Sequence, residues 1–337
     1  MLKRAAALAA AAFVAASGSM ARAEPVKIRV SWVAIVTNMP SILMLKPELM
    51  THNGKSYAFE AIHFNSTPLM IPALAASELD VATYAYSSFA AAIVNAGMND
   101  VRIIADEFED GVPGYYSDEY MVRQESPIRT VEDLKGKILS TSGIGGAMDV
   151  PMRIMLKKHG LDEKKDVNII EVGMPNQRAM LTDGKVDMIT SPLPFSMDPR
   201  LRQIARPLFT QYEAAGTTQM IMWTARAGFI ERNRAALVDL LEDTIRVRRW
   251  FADPANHEAM VKLVTGLTKE PAEQYDSWLF TKRDYFRDPD GRPNLEATQK
   301  NLDALTEMGL LAGKVDVAAH ADLSLVKEAA ARVNSGK

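Results

Sequence analysis

The chain contains no cysteine in its 337 residues. That excludes a disulfide framework, a thiolate nucleophile and a cysteine-based metal site. It also removes the lipid-attachment cysteine that would tether an exported protein to a membrane. Histidine is nearly as scarce, with five residues at 52, 63, 159, 257 and 320. They show no metal-ligand spacing and no motif joining them to a nucleophile. No G-x-S-x-G elbow is present. Asp288-Pro289-Asp290-Gly291 opens like a calcium loop, but the proline and the out-of-register residues after it make it a turn. No cofactor or metal is therefore expected.

What is present begins with an address. Met1-Leu2-Lys3-Arg4 is basic, an apolar run follows from Ala5 to Ala16, and Ala21-Arg22-Ala23 has the small-x-small pattern of a cleavage site. This is the layout of a secretory signal peptide, and the run is shorter than the roughly 20 residues that span a bilayer. The mature chain is expected to start at Glu24, without stable membrane insertion, and to work as a diffusible protein in a bacterial periplasm. Removing Lys3, Arg4 and Arg22 takes the formal net charge from -3 to -6. A mildly acidic surface argues against nucleic acid as a partner. The length suits two lobes.

Strand-like and helix-like stretches alternate from 26 to 195, which predicts parallel α/β sheets. Strands are expected at 26–31, 59–64 and 79–83, with helices at 40–51, 68–77 and 87–97. The pattern returns about 107 residues later. Pro68 matches Pro175, Leu74 matches Leu181, and Leu79-Asp80-Val81-Ala82-Thr83 echoes Val186-Asp187-Met188-Ile189-Thr190. Two similar lobes follow. Gly111-Val112-Pro113-Gly114 breaks a strand-like stretch as a hinge would, although a plain surface loop reads the same way. A second crossing is expected near Gln219–Trp223. Beyond Phe229 the pattern is helical: 229–251, 254–266, 271–280, 295–308 and 323–333.

Ligands of such sheets bind beyond the carboxyl ends of the strands. That rule selects the loops 32–39, 65–67, 84–88, 141–148, 173–178 and 191–195. Thr141-Ser142-Gly143-Ile144-Gly145-Gly146-Ala147 combines hydroxyls and glycines beside a helix start, a setting for an anion. A glycine-rich turn capped by Ser142 is the competing reading. Ser66, Thr67 and Ser87 can cap helices or donate to a ligand. Trp32, Tyr84, Tyr86 and Phe195 offer aromatic faces, with core packing as the alternative role. Arg178 is the candidate cation, and Asn38, Gly145, Gly146, Gln177 and Pro194 complete the set.

Ile71 to Ala82, Thr130-Val131-Glu132-Asp133-Leu134-Lys135-Gly136-Lys137, the Ser142–Ala147 loop, Gly160-Leu161 and Ala179 to Asp187 together resemble the solute-binding proteins of ABC importers. The likeness is to the nitrate/sulfonate/taurine group and its thiamine-pyrimidine-precursor type. It implies a type II periplasmic-binding-protein fold. Each lobe would be a mixed, mostly parallel α/β sheet flanked by helices, with two crossing strands as hinge and a helical C-terminal tail. One lobe would comprise 24–110 and 226–337, the other 111–225. The resemblance also implies a monomer that closes on a small-molecule solute and delivers it to a membrane permease, with ligand contacts at Asn38, Ser66, Tyr84, Ser87, Ser142, Gly145, Gln177 and Pro194. The loop aromatics point away from nitrate and toward an organic solute, an aromatic carboxylate or sulfonate. A neutral pyrimidine-type precursor, a sensor subunit and an enzyme on the same scaffold are the alternatives. Relatives that form pyrimidines use a cysteine-rich stretch, which this chain lacks.

Overall fold

The computed structural model describes residues 24–336. The inferred leader, residues 1–23, lies outside the described residues. The strands in chain order are β1 (Val26–Trp32), β2 (Tyr57–His63), β3 (Val81–Ala85), β4 (Val101–Asp110), β5 (Glu119–Arg123), β6 (Ile138–Thr141), β7 (Asn168–Glu171), β8 (Met188–Ser191), β9 (Ala205–Thr210) and β10 (Thr218–Arg226). The α-helices are α1 (Met39–Leu43), α2 (Met70–Ala75), α3 (Tyr86–Val94), α4 (Asp149–Lys158), α5 (Met174–Thr182), α6 (Pro199–Arg202), α7 (Gln211–Ala215), α8 (Ala227–Ala252), α9 (His257–Thr268), α10 (Leu295–Glu307) and α11 (Ser324–Ser335).

Two five-stranded sheets result, ordered β2-β1-β3-β10-β4 and β7-β6-β8-β5-β9. The parallel core expected from strand–helix alternation comprises three strands in each, and the remaining two strands of each add antiparallel pairs. The internal repeat is visible in hydrogen bonds. Asp80 Oδ2 accepts the backbone N–H of Arg29 at 2.9 Å, and its repeat partner Asp187 accepts that of Ile138 at 3.0 Å. Each aspartate thus docks the entrance of one central strand, β3 or β8, onto the neighbouring strand, β1 at Arg29 or β6 at Ile138. That duty also explains why β3 begins at Val81, two residues later than expected. Central strands β3 and β8 are buried along their whole length, as apolar runs covered on both faces should be.

The chain leaves the first sheet after Asp110 and returns between α7 and Thr218. The return therefore precedes Gln219–Trp223, which lie within β10 because β10 pairs with both β3 and β4. At the outgoing crossing Gly111 has φ 68°, and a Cβ there would sit 2.9 Å from the Tyr212 ring. Glycine is required on both counts.

The C-terminal part departs from the helical expectation at 271–280. Only a single 3-10 turn forms there, Ala272–Gln274. Thr281 Oγ1 donates to the Trp278 carbonyl at 2.7 Å and Asp284 accepts the Phe280 N–H at 2.8 Å. These side-chain bonds replace the helical ladder. Residues 269–294 instead form a strap that pairs with β4 through Glu109 and Phe286.

Strand β4 is the unusual element. It ends Asp106-Glu107-Phe108-Glu109-Asp110, and all four carboxylates are buried. Asp106 is paired with Arg248 of α8 at 2.9 Å and accepts Gln219 Nε2 at 2.7 Å. Glu107 accepts the Trp223 indole N–H at 2.7 Å, the Met39 N–H at 3.1 Å and the Asn38 amide. Glu109 accepts Asn294 Nδ2 at 2.8 Å, and Asp110 accepts Ser117 Oγ and the Asp118 N–H, each at 2.7 Å.

Burial pushes the carboxyls of Glu107, Glu109 and Asp110 up to about 7, against the pull of the hydrogen bonds they accept. Each therefore binds its proton more tightly when folded than when unfolded, where carboxyls titrate near about 4. Their contribution is full below that unfolded value and is lost as pH rises through about 7. The melting temperature should accordingly be higher at pH 6 than at pH 8, by about 2–4 °C for each kcal/mol involved. A melting temperature that is flat or rises between pH 6 and pH 8 would contradict this.

Candidate functional site

A cleft lies between the two sheets at the carboxyl ends of their strands. The loop after β1 supplies Val33, Ala34, Thr37 and Asn38, and the loop after β2 supplies Ser66 and Thr67. From the other side come Ser142 and Gly146 to Met148 after β6, Met174 at the start of α5, and Pro192 and Leu193 after β8. The floor is built by the crossing strands, with Phe108 from β4 and Met220 and Ile221 from β10. Tyr285 of the strap completes it. The lobes are drawn together over a volume of about 50 Å³. That admits only a few water molecules, at about 10–15 Å³ each.

Direct contacts bridge the two sides. Ser87 Oγ donates to the Gly145 carbonyl at 3.0 Å, and Thr37 Oγ1 donates to that of Leu193 at 3.0 Å. A Cβ on Gly143 would lie 2.4 Å from the Ser66 Cβ, so only glycine allows the backbone this close to Ser66.

The structure gathers Asn38, Ser66, Thr67, Ser142 and Gly146 at the cleft. Asn38 shapes it without a free amide: its Oδ1 accepts the N–H groups of Val33 (3.0 Å) and Ala34 (2.7 Å), and its Nδ2 donates to Glu107. Thr67 Oγ1 lies 2.8 Å from Ser88 Oγ. Ser87 and Gly145 serve the inter-lobe bond instead of the lining.

Other candidates sit elsewhere. Because β3 runs two residues further than expected, Tyr84 is inside a strand and wholly buried, its hydroxyl 3.5 Å from the Met70 carbonyl. Tyr86 opens α3 and is equally buried in the same apolar cluster. Trp32 ends β1 and packs on His63, ring centroids 4.5 Å apart. The Gln177 amide is spent inside the second lobe, accepting the Thr190 N–H at 2.9 Å and donating to the Val172 carbonyl at 3.2 Å. Arg178 points away and pairs with Asp198 at 3.2 Å. Pro194 and Phe195 lie just past Leu193, where the chain turns into a 3-10 helix, and do not line the cleft.

The glycine loop is already supplied with negative charge. Glu171 Oε1 accepts the Ile144 N–H at 2.7 Å, Asp149 Oδ2 accepts the Gly145 N–H at 2.8 Å, and Gly146 N–H donates to the Gly143 carbonyl at 3.0 Å. Asp149, in the first turn of α4, occupies the place where a helix N-terminus would attract an anion. No basic side chain lines the cleft among the described residues. What the walls offer is apolar surface, two aromatic rings and neutral hydroxyls.

Sequence reasoning missed Phe108, Met220 and Ile221, because strand interiors were not among the selected loops. It also missed Tyr285, for which no signal existed: the strap delivers that residue from 92 positions beyond Leu193, the residue it bonds.

No curated protein matches the chain in sequence. In three dimensions it is similar to the alkanesulfonate-binding protein SsuA of Xanthomonas axonopodis pv. citri, solved with MOPS bound (TM-score 0.71, 19% identity, covering 90% of this chain and 100% of that one). It is also similar to the periplasmic nitrate-binding protein NrtA of Synechocystis PCC 6803 (TM-score 0.71, 16% identity, 92% and 89% covered). The desulfurization enzyme DSZB, solved as a cysteine-to-serine mutant with biphenyl-2-sulfinic acid, shares the fold (TM-score 0.62, 13% identity, 91% and 99% covered). The family model described as NMT1-like matches residues 21–265. The chain belongs to the NMT1-like family.

Proposed function

We propose that this protein captures a small organic solute between its two lobes and presents it to the permease of an ABC importer. The observation that carries the reading is the cleft itself. Strand-end loops of both sheets converge on one closable space, with no nucleophile–base pair or metal cluster lining it among the described residues. The binding proteins for alkanesulfonate and nitrate share the fold. The enzyme that also shares it was solved with a cysteine replaced by serine, and this chain has no cysteine at all. Export by residues 1–23, action as a free monomer in the periplasm and delivery to a membrane partner belong to the same proposal.

The nature of the solute has two readings. An aromatic carboxylate or sulfonate would fit the company of sulfonate-binding proteins, its anionic group held by the hydroxyls of Ser66, Thr67 and Ser142. A neutral ring is favoured by a specific observation: the N–H groups of Ile144 and Gly145 are taken by Glu171 and Asp149, and no cation lines the cleft among the described residues. Burying an anion without a basic partner is costly unless hydrogen bonds replace its water. Apolar walls with a few hydroxyls suit a flat uncharged molecule better.

A thermal-shift panel of organic acids, sulfonates and neutral heterocycles tests both. A solute present at 100 times its Kd stabilises the native state by about 2.7 kcal/mol. Stabilisation by acids and sulfonates alone supports the first reading, and by uncharged rings alone the second. No response from any member would count against solute capture in this chemical range.

The site assignment is tested separately. Ser142→Ala should weaken solute binding while leaving the melting temperature of the solute-free protein nearly unchanged. Tyr84→Ala should instead unfold the protein more easily, by about 3–5 kcal/mol, since that ring is core. Isothermal titration and thermal melts on both variants check this. Unchanged affinity in Ser142→Ala would remove Ser142 from the site.

A further inference from the structure

Leu193 is gripped through its backbone from two directions. It lies in the loop after β8, on the second lobe, and is fully buried in the cleft wall. Its N–H donates to the Tyr285 hydroxyl at 3.1 Å, and its carbonyl accepts from Thr37 Oγ1 at 3.0 Å. Thr37 follows β1 of the first lobe. Tyr285 belongs to the strap, which is fastened to β4 of the first lobe by the Glu109 N–H to Phe286 carbonyl bond at 2.8 Å and its reciprocal at 3.2 Å.

Neither partner is free to drift. The Tyr285 ring stacks on Phe108 with centroids 4.4 Å apart and planes inclined by 18°, and Tyr116 meets it edge-on at 5.5 Å. The Tyr285 hydroxyl also donates to Asp118 at the hinge, so a continuous chain runs from the Leu193 N–H through the phenol to a carboxylate. Such chains strengthen each of their bonds. Thr37 is braced by Arg287 Nη2, which donates to its carbonyl at 3.1 Å. Two side chains of one lobe thus hold the backbone of one residue of the other, by its N–H and its carbonyl, at the edge of the space a solute would enter.

We propose that Thr37 and Tyr285 are positioning residues that clasp the Leu193 backbone and hold the lobes together in the absence of solute. The clasp sets the ratio of open to closed protein, and through that ratio the affinity for any solute that the closed form binds. The inference rests on the reading that the lobes close on a solute, but it concerns the empty protein. A clasp acts on a population, so it scales the affinity for chemically unlike solutes by the same factor. A residue that merely touched the ligand would discriminate among them.

The test is small-angle X-ray scattering on the solute-free mature protein and on Thr37→Val, Tyr285→Phe and Thr37→Ser. Tyr285→Phe keeps the stack on Phe108, and Thr37→Val keeps the volume. Losing either hydroxyl should raise the open-to-closed ratio about 3- to 10-fold, the range expected for one net hydrogen bond. The radius of gyration of both variants should therefore increase, while Thr37→Ser, which restores the donor, should match the wild type. Circular dichroism on the same samples verifies folding, and Thr37→Val decides alone if Tyr285→Phe does not fold. Equal radii for the wild type and the hydroxyl-deleted variants would overturn the clasp, even if their solute affinity fell. That last result would mark the hydroxyls as ligand contacts and leave the solute-capture reading intact.

Discussion

Burial of four carboxylates along five residues of β4 is the constraint around which the molecule is arranged. A buried charge is tolerated only where partners replace its water, and each of these acids recruits a different part of the chain to do so. Arg248 brings α8 to Asp106, and Asn294 fixes the entry of α10 on Glu109. Glu107 orders the loop after β1 through Asn38 and Met39, and Asp110 fastens the turn at which the chain leaves the first lobe. One strand thereby joins the C-terminal helices, one wall of the cleft and the hinge. Removing Arg248 would leave Asp106 without its buried ionic partner, a loss of about 3–5 kcal/mol.

The same polarity logic shapes the cleft. Its charged groups stand behind the walls, engaged with backbone donors, while the surface offered to a solute is neutral. Asp149 and Glu171 each take one backbone N–H of the glycine loop, at Gly145 and Ile144. The lobes meet through hydrogen bonds and through Val150 and Ile154 of α4, which join the apolar cluster of the first lobe. Closure is therefore favoured by the protein's own contacts. A solute needs only to add a modest differential affinity for the closed state.

Much of this architecture is legible in the sequence. The strand–helix alternation and the matched pairs Pro68/Pro175 and Asp80/Asp187 indicate two related lobes, and the two aspartates prove to make the same hydrogen bond. The strand-end rule finds the loops that carry Asn38, Ser66, Thr67, Ser142 and Gly146. It fails at Tyr84 and Tyr86, because a two-residue error in a strand end moves a side chain from a loop into the core. The run Asp106 to Asp110 carries four acids in five residues, and nothing nearby in sequence reveals Arg248 or Asn294 as partners. The strap is hidden for a related reason: Tyr275, Trp278 and Leu279 have helical spacing, but Thr281 and Asp284 take the hydrogen bonds a helix would need. Long-range partners, more than local propensity, decide what the sequence conceals.

The central claim is that one solute is held by both lobes at once. Hydrogen–deuterium exchange with and without a solute that raises the melting temperature tests it most directly. The account predicts that binding protects segments 33–38 and 66–70 together with 142–149 and 192–196, on opposite sides of the cleft. Protection confined to one lobe, or centred on any other surface, would contradict it.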